Sequence, residues 1–234
     1  MKPMKTISEN KILPRRRAFT LVELLVVISI IGVLAAFTLV GLKSVKRTQK
    51  ISSAKVEIRE IELAIENYKA KYSAYPPGNN FGNPLLSQLY YELSGTTITA
   101  IGGVNYYVTL DGSSQIKVTD VPVAYKVDGF LNCTKGGGED AASAKNFLPG
   151  LKPNRINIQV PNNGVTTTML VTTVGGPDDN YQPLNATALN PFRYVNPGTN
   201  NPDSYDLWVQ LVINKQTNLV CNWSKTVLRN SPMP

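Results

Sequence analysis

The sequence predicts an α+β fold in which one long N-terminal helix packs on a mainly antiparallel sheet. Three observations predict it. Residues Phe19 to Leu42 form a run of 24 residues with a single charged side chain, Glu23. Apolar residues then recur at Ile51, Ala54, Ile58, Ile61, Ile65, Tyr68 and Tyr72, at spacings of 3, 4, 3, 4, 3 and 4, which is one face of a helix. Beyond Pro76 the chain breaks into short alternating or β-branched runs separated by Gly, Asn and Pro, the pattern of strands and turns.

The first 18 residues are a basic leader. Lys2, Lys5, Lys11, Arg15, Arg16 and Arg17 face only Glu9, a net charge of +5, against +3 for the rest of the 234-residue chain. Most of the basicity therefore belongs to the leader, where positive charge holds a membrane protein's N-terminus in the cytoplasm. The rest of the chain then lies across the membrane, and no nucleic-acid partner is expected. As a helix, Phe19–Leu42 spans about 36 Å at roughly 1.5 Å per residue, enough to cross the hydrocarbon of a bilayer. Glu23 sits five residues into that run. A lone carboxylate there costs about 2.5 kcal/mol or more, so it needs a partner.

Residues 43–75 continue the same helix as its amphipathic half. Lys55, Glu57, Arg59, Glu60, Glu62, Glu66, Lys69 and Lys71 fill the positions between the apolar ones. The stripe is short and mixes Ala and Tyr with Ile, which favours docking onto the protein's own sheet over a coiled-coil seam. Tyr75-Pro76-Pro77-Gly78 ends the helix, because the first proline pushes Tyr75 out of helical backbone. From Phe19 to about Ala74 the helix is about 84 Å long at roughly 1.5 Å per residue. Gly32 and Gly41 are points where it can bend.

Residues 76–234 are read as one globular head. Pro84–Leu93 predicts a short helix. Strands are predicted at Val104–Leu110, Gln115–Val121, Arg155–Val160, Thr166–Val174, Ser204–Ile213 and Asn218–Trp223. Residues 132–154, with Gly136-Gly137-Gly138, read as an exposed loop.

The chain contains no His. That removes the commonest general base, the Ser-His-Asp and Cys-His constellations and the usual zinc ligands; no paired carboxylates or glycine-rich phosphate loop replace them, so no enzyme activity is expected. Cys133 and Cys221 are 88 positions apart. In an oxidising compartment they are expected to pair, contributing about 4 kcal/mol by loop closure; two buried thiols are the alternative.

Residues Arg15-Arg16-Arg17-Ala18-Phe19-Thr20-Leu21-Val22-Glu23 resemble the class III signal of prepilin-like proteins, the subunits of type IV pili and of type II secretion pseudopili. The resemblance implies that a prepilin peptidase cuts between Ala18 and Phe19 and methylates the new amine, leaving Glu23 as the fifth mature residue. It departs from the pattern at Ala18, where Gly is usual. An ordinary secretory signal is excluded by pattern, since its apolar region is about 7 to 15 residues long and its small-residue site follows that region. A plain signal anchor gives no reason for Glu23. The resemblance further implies a pilin-like lollipop shape, and pairing of one subunit's Glu23 with the Phe19 amine of another, which fixes axial register. The other reading of Glu23 is a side chain snorkelling to the cytoplasmic head groups.

A second resemblance lies in the tail. Asn190-Pro191-Phe192-Arg193-Tyr194-Val195-Asn196-Pro197-Gly198, then Asp203-Ser204-Tyr205-Asp206-Leu207-Trp208 and Cys221-Asn222-Trp223, look like the end of major pseudopilins. In that family the following loop commonly holds calcium. Here residues 209–218 lack acidic ligands and carry Lys215, whereas calcium takes six or more oxygen ligands, several of them carboxylates. Asp203 and Asp206 with backbone carbonyls would form a reduced site, and Asp178-Asp179-Asn180 is another acidic turn. The reading favoured is that these residues cap their own backbone. Three Asn-x-Ser/Thr triplets, at Asn132, Asn185 and Asn222, are read as chance, because a prepilin signal points to a prokaryote.

Together these features imply a type II secretion pseudopilin, anchored once in the bacterial inner membrane with its head in the periplasm. Its partners would be the prepilin peptidase, the inner-membrane assembly platform, other pseudopilins and further copies of itself. The rival readings are a type IV or competence pilin and a membrane-anchored periplasmic binding module.

Overall fold

The computed structural model describes residues 19–79, 82–134, 143–174, 189–213 and 215–230, with backbone alone at 37–44 and 158–161. The chain divides into two compact units between Lys46 and Arg47. Helix α1 runs from Leu21 to Tyr72, passing Gly32 and Gly41 without a break, and Ser73 leaves it with φ +58°. Its predicted stripe is the buried face: Ala54, Ile58, Ile61, Ile65 and Tyr68 are all buried, while Ile51 and Tyr72 are half-buried. These side chains share one core with residues of the sheets, so the stripe packs on the protein's own head.

One member of the polar face departs from expectation. Glu57 is buried. It accepts from the Thr172 hydroxyl at 2.5 Å and from the Thr173 hydroxyl and amide, and the Arg155 guanidinium lies 3.9 Å away. Arg155 also bonds Glu60 at 2.7 Å. A charge leaves water at little net cost only when paired in this way.

Two four-stranded sheets and a hairpin make up the strands. The first sheet has the order β3-β2-β1-β4, with β1 Thr96–Ile101, β2 Val104–Thr109, β3 Gln115–Lys117 and β4 Cys133–Thr134. All neighbours are antiparallel except β1 and β4. Strands β5 (Ile156–Asn162) and β6 (Val165–Leu170) form the hairpin. The second sheet, β10-β9-β8-β7, is antiparallel throughout; it comprises β7 Arg193–Val195, β8 Asp206–Ile213, β9 Gln216–Cys221 and β10 Leu228–Arg229. The period of two along β8 sorts its faces. Leu207, Val209, Leu211 and Ile213 join the core shared with α1, whereas Trp208 packs with Leu219, Cys221 and Trp223 in a second cluster.

Three predicted elements are revised. The Gln115–Val121 strand stops at Lys117 and turns through a 3-10 segment into helix α3, Val121–Tyr125. Pro122 cannot donate to a sheet but suits the first turn of a helix. The Pro84–Leu93 helix is a 3-10 turn, Pro84–Leu86, followed by α2, Leu89–Ser94. The 132–154 segment is not uniformly exposed: Asn132, Phe147 and Leu148 are buried, while its triple glycine lies outside the described residues.

Buried tyrosines dominate the head's core. Burial is the largest cause raising the hydroxyl pKa of Tyr68, Tyr91, Tyr125, Tyr194 and Tyr205. An unfolded tyrosine releases its proton near pH 10, and these folded ones keep theirs. The unfolded state then binds fewer protons, so stability must fall as pH rises above about 10. Chemical denaturation at pH 8, 9, 10 and 11 is expected to show equal stability at pH 8 and 9 and a steep decline above about pH 10.

Candidate assembly site at the start of the N-terminal helix

The sequence places three residues of interest at the head of α1. Ala18 lies outside the described residues. Phe19 is 77% exposed. Thr20 and Glu23 form a reciprocal pair: the Thr20 amide and hydroxyl donate to Glu23 Oε2 at 2.9 and 2.8 Å, and the Glu23 amide donates to Thr20 Oγ1 at 3.2 Å. This is a capping box, which satisfies amides that an N-terminal turn otherwise leaves without acceptors. The helix dipole also favours a carboxylate at that end. The Thr-x-x-Glu spacing of Thr20 and Glu23 is the sequence signature of this box.

The box does not exhaust Glu23. Its described bonds fall on Oε2, and Oε1 receives none among the described residues. A carboxylate has about four lone-pair sites. One oxygen therefore orders its own helix, and the exposed carboxylate keeps acceptor sites for a cation. A cut before Phe19 leaves the Thr20 amide and hydroxyl intact and creates an amine four residues from Glu23.

On both sides of Glu23 the helix exposes one apolar side chain after another. Leu21, Val22, Leu24, Ile28, Ile31 and Leu34 are each 58% to 79% exposed. Soluble monomers do not display a continuous apolar surface of this kind. Among the described residues no helix is long and apolar enough to cross a membrane; with the side chains of 37–44 outside them, the described part of the apolar helix is Leu21–Ala36.

A model of the prokaryotic N-terminal methylation motif matches residues 13–40, which contain this whole site. The chain carries a prepilin-type N-terminus. Two similar proteins, both named fimbrial protein and both from Pseudomonas aeruginosa, are 26% identical over 171 residues, which is 73% of this chain and 96% of theirs. Type II secretion system core protein G of Pseudomonas aeruginosa is 37% identical over 62 residues, covering 26% of this chain and 44% of its own. No solved structure matches. With its long helix and antiparallel sheets the fold is α+β, as in a pilin-like subunit.

The other expected sites resolve differently. Cys133 and Cys221 are buried and are not joined to each other, against the expected bridge. Cys133 belongs to β4 and the core shared with α1, whereas Cys221 ends β9 and faces the Trp208 cluster. The two thiols thus belong to different sheets and different clusters. Asp203 is exposed and Asp206 is buried. Asp206 Oδ2 accepts from the Asn200 amide at 2.8 Å and Oδ1 from the Asn201 amide at 3.0 Å, so its carboxylate caps the backbone of the turn before β8. Among the described residues no group of three or more Cys, Asp or Glu is placed to hold a metal; Asp178-Asp179-Asn180 lies outside them. The tail is tied back to the end of α1 instead, where the Tyr194 hydroxyl and the Asn196 side chain donate to the Pro76 carbonyl at 2.7 and 2.9 Å.

Gly198 is where this turn is tightest. A Cβ there would sit 2.7 Å from Asp206 Oδ1 and 2.8 Å from the Asn201 carbonyl. Gly198→Ala is expected to cost about 2 kcal/mol. That lowers the melting temperature by about 6 °C for a head of this size, measurable by circular dichroism.

Proposed function

We propose that this chain is a structural subunit of a type II secretion pseudopilus. It would be inserted in the inner membrane through Phe19–Leu42, cut and methylated at Phe19 by a prepilin peptidase, and added to a periplasmic fibre by an inner-membrane assembly platform. Growth of the fibre from its base pushes folded proteins outward. The role is mechanical and includes no catalytic step. The observation that carries it is the exposed apolar start of α1, headed by an exposed acid whose described bonds fall on one oxygen only. Such a surface needs a bilayer before assembly and neighbouring helices after it, and the acid needs the cation that processing creates. The likeness to core protein G and the tail pattern from Asn190 to Trp223 support secretion over other fibres.

A second reading is a type IV or competence pilin, whose fibre leaves the cell. The 171-residue match that covers 96% of the fimbrial proteins favours it. Deleting the gene in its host separates the two. Loss of folded-protein export with surface fibres intact is expected; loss of surface fibres with export intact would move the assignment to the pilus. A membrane-anchored binding module would show neither loss.

A further inference from the structure

At the foot of the head, where α1 meets the C-terminal segment, lies a groove of about 440 Å³. Three basic side chains, Arg47, Lys55 and Arg229, and three hydroxyls, Thr48, Ser52 and Thr226, line it, and no acid among the described residues does. The Lys55 ammonium also donates to the Lys225 carbonyl at 3.3 Å; Lys225 itself lines the neighbouring groove, with Arg59 and Glu62. The Arg47 guanidinium is held at the wall by a bond to Asn218 Oδ1 at 2.9 Å. Cations and hydroxyls without a competing carboxylate are the donor set for a phosphate.

Position along the chain identifies the source of that phosphate. Arg47 follows Leu42, the end of the apolar run, by only five residues, and residues 43–55 contain five basic side chains and no acidic one. That charge runs against orientation, since basic residues beside a span favour the cytoplasmic side. In the proposed topology this flank is across the membrane, so the bias it opposes must be set by the leader. The head-group layer begins where the apolar run ends.

We propose that this groove binds the phosphate of an anionic phospholipid in the outer leaflet of the inner membrane. The contact seats the head on the bilayer while the subunit waits to be assembled, and it must be given up when the subunit rises into the fibre. The inference rests on the membrane reading of Phe19–Leu42.

The test uses the full chain in nanodiscs of phosphatidylcholine alone or with a third phosphatidylglycerol, labelled by a water-soluble lysine acylating reagent. Lys55 is exposed and reports the groove; Lys117 and Lys126, exposed elsewhere on the head, are internal references. Phosphatidylglycerol is expected to slow acylation of Lys55 about fivefold relative to the references. The slowing should vanish in about 0.5 M salt and in the Arg47→Gln/Arg229→Gln variant, whose unchanged melting temperature would show the head intact. Equal labelling in both lipids overturns the proposal. So does protection that is independent of lipid charge and grows with the number of chains per disc, which would assign the groove to a second copy. A chain that alkaline carbonate strips from the lipid contradicts the membrane reading itself, and the lipid groove falls with it.

Discussion

Glu23→Ala is expected to leave the protein in the membrane and stop fibre assembly. Two losses combine in that variant. The helix loses the acceptor for the Thr20 amide and hydroxyl, worth about 1 kcal/mol for a cap. On the proposed reading the subunit also loses the counter-charge for the Phe19 amine of a neighbour, and leaving a buried cation alone costs about 3–5 kcal/mol. The second term dominates and weakens each subunit contact by more than about a hundredfold. Glu23→Gln separates the terms. Glutamine preserves a capping box and has no charge, so the account expects it to fail in assembly nearly as completely as alanine. Normal fibres with Gln would reduce Glu23 to a helix cap. Sedimentable polymer after mild detergent extraction, with membrane-fraction protein as the control, measures both variants.

Glu92→Ala is expected to have the largest effect on the head. Glu92 is fully buried; it accepts from the Tyr68 hydroxyl at 2.9 Å and from the Leu131 and Asn132 amides at 3.0 Å each. Asn132 in turn donates to the Glu92 and Lys145 carbonyls and accepts from the Tyr72 hydroxyl at 2.6 Å. One carboxylate therefore joins α1, α2 and the backbone at Leu131 and Asn132. Its removal strands two buried amides and a phenol, each worth about 1–3 kcal/mol. Relief of the buried charge offsets part of this, which leaves about 4 kcal/mol. Against a total stability of about 5–15 kcal/mol, the expected fall in melting temperature is about 12 °C. Tyr68→Phe removes one of the three bonds and should cost about 1 kcal/mol. A change below about 3 °C in the Ala variant would show that water replaces the carboxylate.

What the sequence revealed depended on periodicity. The α1 stripe was legible because Ile51 to Tyr72 repeat at the helical period and almost every member is buried. Strand β8 was legible because it is long and central. Strand β1 was not: its burial falls off after Thr97, so Thr96–Ile101 has no apolar face to alternate with a polar one. Helix α3 was hidden by Val118 and Val121, whose β-branched side chains mimic a strand until Pro122 forces a turn.

The site divides along the same line. Phe19 and Glu23 stood out because an acid in an apolar run is costly, and Thr20 lay in plain view as half of a local motif. The roles of Glu57 and Glu92 were out of reach, because each depends on partners from distant parts of the chain; Asp206 was read as capping its own turn, and it does so. Glu57 meets Thr172 across 115 positions, and Glu92 meets Asn132 across 40. For Cys133 and Cys221 the count of two suggested a pair, and the topology separated them into different sheets.

The central claim is that this chain is processed into a polymerising subunit, and processing is its most direct test. The chain would be co-expressed with a prepilin peptidase, extracted from membranes, and measured for intact mass and N-terminal residue. The expected product begins at N-methylated Phe19, with all 18 leader residues gone. A membrane-bound product that still begins at Met1 would contradict the account: no amine would exist for Glu23 to meet, and the exposed helix would be an anchor and nothing more.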